Sequence, residues 1–229
     1  MFCVFCGNDS AECFDVKSKL YYRCNSCGGI FLSEKDFLTE EMQKERYEKH
    51  NNSLEDSGYC SFLRGFIEPV LDEVKKRNGS LQQILDYGSG PEPALVHLLE
   101  KFRDEKKLPA DSEIRGWDPF FSPETPLFSS GADLVTCLEV VEHFEKPLES
   151  MKKLAEACKK GGFAAVGTML LPFQQDENSW KEKFSAWWYR SDATHVSFYT
   201  KKALCICAER SGLSFVTDIS NRCFLFRKA

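Results

Sequence analysis

The 229-residue chain carries 30 Lys and Arg against 35 Asp and Glu, a net charge of −5, with 42% hydrophobic and 13% aromatic residues. That length and composition suit one sizeable core plus a small appendage, and the acidic balance argues against a surface that is wholly a nucleic-acid footprint. No apolar run approaches the roughly 20 residues that span a bilayer, and Met1-Phe2-Cys3-Val4-Phe5-Cys6 lacks a basic stretch followed by a long apolar one, so neither a signal peptide nor a membrane segment is expected.

The eleven cysteines are an odd number. Cysteine usage of this kind suits a reducing compartment better than a disulfide framework, and the expected location is the cytoplasm. Cys3-x-x-Cys6 and Cys24-x-x-Cys27 each place two sulfurs on one side of a tight turn, with Gly7 and Gly28 following. Two such knuckles predict a tetrahedral four-thiolate site for Zn²⁺, with iron as the lesser alternative. Four thiolates leave no open position, so the metal is expected to be structural. The ribbon is expected over residues 1–32, too small to fold without its metal. Its acids Asp9, Glu12 and Asp15 balance Lys17, Lys19 and Arg23, which points to anchoring or protein docking and not to nucleic acid. Cys13 reads as a plain ribbon residue.

Residues 33–56 read as a helical linker or lid, with Ser33 and Asp36 resembling a helix start. The domain that follows is expected over residues 57–229. Phe62, Phe66, Val70 and Val74 recur every four residues and predict an amphipathic helix that packs on a sheet and ends near Asn78-Gly79.

A short apolar run then ends in Asp86, and Gly88 and Gly90 follow at once, before a helical pattern from Ala94. Strand, glycine turn, helix is the arrangement with which a doubly wound sheet holds a nucleotide-like cofactor. The dinucleotide fingerprint requires a third glycine at position 93, which is Pro. A carboxylate at the strand end repels a pyrophosphate and suits an ammonium. Asp86-x-Gly88-x-Gly90 therefore favours S-adenosylmethionine, which carries an ammonium and a sulfonium and no phosphate, over a nicotinamide cofactor.

Three more strands are predicted. Ile114 to Asp118 ends in an acid suited to ribose hydroxyls. Residues 132–144 leave a strand into a polar loop, and Gly161-Gly162 precede another buried strand. Lys146 to Lys160 reads as a crossover helix with Leu148, Met151, Leu154 and Cys158 on one stripe. Thr200 begins a last helix that stops near Gly212, and two closing strands follow.

Over residues 55–229 this set resembles the class I S-adenosylmethionine-dependent methyltransferases, on the strength of Asp86-x-Gly88-x-Gly90, Asp118, Leu138-Glu139-Val140-Val141-Glu142-His143 and Gly161-Gly162. The Glu-Val-Val-Glu-His element is similar to that of the branch acting on ubiquinone precursors and small molecules. Within that branch the chain looks like uncharacterised bacterial members that join a four-cysteine ribbon to this domain and share the segments at Tyr47–Asn52 and Trp187–Phe198. The resemblance implies an α/β, Rossmann-like, doubly wound, mostly parallel seven-stranded sheet. It also implies a cofactor edge of Asp86, Gly88, Gly90, Asp118, Pro119, Leu138 and Glu139. Two departures stand out. Glu92 occupies the place of a usual third glycine, and the link from Asp118 to Asp133 is short and holds no acid for the adenine, so Phe120 or Phe121 is the candidate cover.

Methyl transfer from a sulfonium is an in-line displacement that needs an aligned nucleophile, a base and exclusion of water. The loop after the fourth strand offers Glu139, Glu142 and His143. An aromatic cap over about residues 170–200 contains three of the four tryptophans, with Tyr189, Asp192, Thr194 and His195 inside it. His195 is the favoured base, with Asp192 to orient its ring, and His143 is the second candidate. Tyr189 is expected to position substrate, and His50, Asn51 and Tyr59 to form a lid. His97 is expected to be partly buried on its helix.

The expected function is a cytoplasmic methyltransferase acting on an oxygen or nitrogen of a small or medium-sized metabolite, with structural zinc on Cys3, Cys6, Cys24 and Cys27. RNA is the rival substrate, kept open by a C-terminal excess of Lys201, Lys202, Arg210, Arg222, Arg227 and Lys228 over Glu209 and Asp218. From a different class comes a non-catalytic module that docks a protein partner through its ribbon.

Overall fold

The computed structural model describes residues 1–9, 11–49, 53–173 and 179–229. The chain opens with a hairpin of β1 (Ala11–Val16) and β2 (Lys19–Cys24), joined by Lys17 and Ser18, both at positive φ, the two-residue turn that matches strand twist. β3 (Ile30–Leu32) pairs with β2. The stretch opened by Ser33 forms only a single 3-10 turn without a side-chain cap. Helix α1 (Glu40–Tyr47) starts instead behind Thr39, whose hydroxyl accepts the Met42 amide.

Helix α2 (Ser57–Lys76) is capped by Asp56, which accepts the Gly58 and Tyr59 amides at 2.8 and 3.0 Å. Phe66, Val70 and Val74 are buried as the periodicity predicts, but Phe62 is exposed, and Leu63, Ile67 and Leu71 complete the buried face. Next come β4 (Gln83–Tyr87), α3 (Ala94–Asp104), β5 (Glu113–Trp117), β6 (Ala132–Leu138), α4 (Pro147–Ala157) and β7 (Cys158–Gly167). Cys158 thus opens a strand and does not close the helix. The cap contributes α5 (Trp180–Ala186) and the short β8 (Ser197–Phe198). Then α6 (Lys201–Arg210), β9 (Leu213–Ser220) and β10 (Cys223–Lys228) end the chain.

The large sheet has the order β5-β4-β6-β7-β10-β9. Strands β4 to β7 are mutually parallel, and β10 runs antiparallel to both its neighbours. It has six strands, not the seven expected. Residues 119–131 link β5 to β6 directly, and Pro119, Pro123 and Pro126 cannot donate to a ladder. Arg115 pins this link by donating to the Pro126 carbonyl and lying 4.2 Å above the Phe128 ring.

Alternation along the strands feeds two cores. Ile84, Leu134, Ala165 and Leu225 face α2 and α3, while Leu85, Val135, Val166 and Phe224 face α4 and α6. The second sheet, β1-β2-β3-β8, joins ribbon to cap, because Ile30 and Phe31 pair with Phe198 and Ser197. Its apolar face packs Phe14, Tyr21, Phe184, Trp187 and Phe198 into a third, aromatic core. Thr200 donates to the Cys27 carbonyl at 2.6 Å, and Phe5 lies 4.8 Å from the Tyr199 ring, which seats the cysteine knuckles on α6. No described helix is long and apolar enough to cross a membrane.

Candidate active site and cysteine cluster

Strand order reverses between β4 and β6, since β5 lies on one side of β4 and β6 on the other. Such a switch point opens a crevice at the carboxyl ends of the strands. A cavity of about 390 Å³ lies there. Its floor holds Asp86, Gly88, Gly90, Asp118 and Leu138; its cap side holds Tyr189 and His195.

Gly88 and Gly90 have φ of 84° and 70°. A Cβ at Gly88 would lie 2.5 Å from Val140, whereas one at Gly90 would meet nothing within 4 Å, so the space before Gly90 is open to a ligand. Asp86 is 5% exposed and accepts the Thr136 hydroxyl at 2.8 Å. Burial, reinforced by the Asp118 charge and opposed by that hydroxyl, pushes its carboxyl up to about 7. Asp118 accepts the amides of Gly90, Phe120 and Phe121 at 3.0, 2.8 and 3.2 Å, so it fixes the glycine turn while keeping lone pairs for a further donor. Phe120 and Phe121 line the same cavity, as do Pro119 and Glu92.

Glu139 has φ 52°. A non-glycine residue held in this region is strained, and such strain gathers at functional sites. Burial, then the Glu142 charge, raises its carboxyl to about 7. Glu142 is fully buried in the 3-10 turn Val141–His143. Tyr189 Oη donates to Glu142 at 2.6 Å and lies 3.1 Å from Glu139, and the Thr168 hydroxyl donates to the other Glu142 oxygen at 2.9 Å. Burial raises Glu142 as well, and drives the Tyr189 phenol far above its usual range.

The two histidines meet at this corner, with ring centroids 4.7 Å apart. His143 Nδ1 lies 3.0 Å from the Thr194 carbonyl and His195 Nδ1 lies 2.6 Å from the Tyr189 carbonyl. Burial and the neighbouring His143 lower the His195 pKa. Asp192 does not orient His195 by a hydrogen bond. It accepts the Thr194 hydroxyl and amide at 2.6 and 3.0 Å and pairs with Arg46 at 2.7 Å. Burial opposes ionisation, but Thr194, His195 and Arg46 together hold the Asp192 carboxyl well below the usual range. The tautomer-setting partner of His195 is the Tyr189 carbonyl, a backbone group that no sequence pattern announces.

Helix α1, from the segment read as a helical linker or lid, contributes Gln43 and Tyr47 to the cavity lining. Tyr47 packs against Phe120 and His143 at 5.5 and 5.2 Å, and Gln43 donates to Glu145 at 2.8 Å. Tyr59 lines the cavity too, and burial pushes its phenol up to about 12. His50 and Asn51 lie outside the described residues, and His97 is exposed. The lining includes five acids, Asp86, Glu92, Asp118, Glu139 and Glu142, and among the described residues no Lys or Arg.

Away from the cavity, Cys3, Cys6, Cys24 and Cys27 converge, with Sγ–Sγ separations of 3.6 Å for Cys3–Cys27 and for Cys6–Cys24. Metal–sulfur bonds of about 2.3 Å at a tetrahedral centre put sulfurs about 3.8 Å apart, whereas a disulfide needs about 2 Å. The donor set fits a four-thiolate metal centre. Cys13 is exposed and outside it.

A family model for a methyltransferase domain matches residues 59–218. The chain belongs to this methyltransferase-domain family. No curated protein matches it by sequence. Among solved structures it is similar to the 1,6-didemethyltoxoflavin-N1-methyltransferase of Burkholderia thailandensis, solved with 1,6-didemethyltoxoflavin and S-adenosylhomocysteine. There the TM-score is 0.52 at 9% identity, over 96% of this chain and 99% of that one. An O-methyltransferase family protein of the same organism gives 0.50 at 16% identity, covering 81% and 61%. A chain of the complex between the Haloferax volcanii Trm112 methyltransferase activator and a methyltransferase gives 0.50 at 14%, covering 76% and 77%. At these identities the likeness is one of fold. The matched span of the methyltransferase domain starts inside α2 and ends in β9, so it contains the floor and the cap residues of the cavity but neither Gln43 and Tyr47 of α1 nor the cysteine cluster.

Proposed function

We propose that this methyltransferase domain uses S-adenosylmethionine to methylate an oxygen or nitrogen of a small or medium-sized metabolite, and that its four-cysteine cluster holds a structural Zn²⁺. The observation that carries this reading is the single cavity in which a glycine turn flanked by Asp86 and Asp118 faces the Glu142–His143–His195 corner. The floor suits the cofactor: Asp86 for the ammonium, Asp118 for the ribose, Gly90 for close approach. An acid-rich lining without Lys or Arg favours a ligand of net positive charge, as ammonium and sulfonium against one carboxylate make S-adenosylmethionine. Bound S-adenosylmethionine would supply the methyl group to an aligned acceptor atom by in-line displacement, with the sulfur as leaving group. A proton on the acceptor would pass to His195, whose Nδ1 is held by the Tyr189 carbonyl, and the aromatic cap would limit access of water to the cation.

A metabolite is favoured over RNA. Three of the six basic residues near the C-terminus are engaged by the chain itself at its surface: Lys201 pairs with Asp218 at 2.5 Å, Lys202 donates to the Ser26 carbonyl and Arg227 to the Gly161 carbonyl. A phosphate chain would also have to pass an acidic cleft.

Calorimetric titration with S-adenosylmethionine and S-adenosylhomocysteine tests the reading. Micromolar binding is expected in the wild type and loss of it in Asp118→Ala, with thermal unfolding of the variant as a check on its fold. Absence of binding at millimolar ligand refutes it.

A further inference from the structure

We propose that Glu142, His143 and His195 bind a divalent metal ion of the zinc, manganese or cobalt class, on the acceptor side of the cavity and separate from the cysteine cluster. One ligand atom from each of the three lies within 4.8 Å of the others. In a filled site, bonds of about 2.1 Å to nitrogen and oxygen bring such atoms to about 3–3.5 Å of one another. With the Glu142 carboxylate held in place, that tightening would come from tilting of the imidazole rings.

Both rings are already held from one side by the backbone. The Thr194 and Tyr189 carbonyl oxygens can only accept, so each Nδ1 carries its hydrogen and Nε2 is the nitrogen that each ring can offer to a metal. Metal-ligating histidines are held in this way, by a backbone carbonyl on the far nitrogen. Glu142 is likewise pre-set. Tyr189 and Thr168 occupy one lone pair on each oxygen and fix the plane of the carboxylate, leaving further lone pairs for a cation.

Charge points the same way. Glu142 is fully buried and Glu139 stands beside it across the Tyr189 hydroxyl, while the nearby Arg46 is committed to Asp192. Buried carboxylates are retained in proteins when they are paired or coordinate a metal. The backbone around the three ligands is cross-tied as well. The Val196 amide donates to the Glu142 carbonyl at 2.9 Å and the Ser197 hydroxyl to the Phe144 carbonyl at 2.7 Å, so the cap histidine is fixed to the turn that carries the other two.

Two histidines and one carboxylate leave coordination positions open, unlike four thiolates. All three residues line the cavity, so the substrate class would be an acceptor that offers oxygen ligands, such as adjacent hydroxyl or hydroxyl and carbonyl groups on a planar scaffold; with the ion bound the histidines would be ligands and not the base, and the acceptor's proton would leave to Glu139 in the same lining. This consequence for the acceptor rests on the methyltransferase reading; binding of the ion does not.

The full chain, with its cysteine cluster loaded by one equivalent of Zn²⁺ and freed of excess metal, is titrated with Co²⁺ and with Mn²⁺. Visible absorption follows Co²⁺, and the paramagnetic resonance signal of free Mn²⁺ follows the other. One further ion per chain is expected, without the sulfur-to-cobalt charge-transfer band of a thiolate site. Affinity is expected to fall at least about tenfold in His195→Gln and in Glu142→Gln. Binding that is absent at millimolar metal, that shows thiolate bands only, or that is the same in both variants overturns the proposal. S-adenosylhomocysteine binding, measured on the same samples, reports the fold of the variants. Metal binding without it leaves the metal site standing and removes the methyltransferase reading; the reverse result removes the metal site alone.

Discussion

The two halves of the cavity are built in different ways. The floor is local: Asp86, Gly88 and Gly90 lie within five residues, and Asp118 closes on them through one amide contact with Gly90. The cap side is assembled at long range, with Tyr189 and His195 reaching Glu139, Glu142 and His143 across about fifty residues, and with β8 fastened to the ribbon strand β3 more than 160 residues earlier. A local motif fixes a cofactor pocket whatever surrounds it. A long-range assembly exists only when three packed layers agree, so damage to it should spare the floor.

Phe198→Ala is expected to show that difference most strongly. Phe198 is 1% exposed, lies 5.1 Å from the Phe184 ring and pairs with Ile30. Deleting a buried phenylalanine costs about 3–5 kcal/mol, a drop of roughly 10 °C in melting temperature for a chain of this size. Calorimetry on the folded fraction is expected to find S-adenosylhomocysteine affinity within about threefold of wild type, since one such factor is only about 0.65 kcal/mol. If affinity collapses with stability, the halves are not separable.

A test confined to the floor comes from pH. The Asp86 carboxyl titrates near 3.8 when unfolded and near 7 in the fold. Between those values the folded chain holds a proton that the unfolded chain has released. The stability contributed by Asp86 is therefore complete below pH 3.8 and lost as pH rises through 7, by up to about 4 kcal/mol. Asp86→Asn cannot titrate. The stability difference between wild type and this variant, from urea unfolding without ligand, should fall across that window. A difference that stays flat from pH 4 to 8 contradicts a neutral, buried Asp86.

How much could be read in advance follows the same division. The glycine turn, Asp118, the Thr200 helix start and the cysteine knuckles are short-range patterns, and each lies where its spacing indicates. The sequence cluster suggests Asp192 as the residue that orients His195, yet Arg46 and Thr194 take its oxygens. The missing seventh strand was hinted at by a short, proline-containing link. Phe62 keeps the helical period of α2 but faces the cavity mouth, because period alone does not tell packed surface from the rim of a site. The two-residue strand β8 has no pattern of its own and is defined only by its ribbon partner.

The smallest expected effect measures how firmly the halves are joined. Tyr189→Phe removes one hydroxyl and no volume to speak of. That hydroxyl ties the cap to two carboxylates in the loop after β6, donating to Glu142 at 2.6 Å and lying 3.1 Å from Glu139. Its loss leaves buried acceptors short of a partner, which costs about 1–3 kcal/mol. The sign at Glu139 follows from the same bond. The hydroxyl stabilises the ionised form, against burial and the Glu142 charge that raise the carboxyl to about 7, so the variant's Glu139 should titrate higher still. Carbon-13 titration of the glutamate carboxyls reads this directly. In a double-mutant cycle with Glu142→Gln, a coupling energy above about 0.5 kcal/mol is expected for groups that share one hydrogen bond. An upward Glu139 shift with measurable coupling means that Tyr189 holds the cap to the strand ends. An unmoved Glu139 and additive single changes would mean that the tyrosine only fills space, and that the cap is held over the cavity by its apolar core alone.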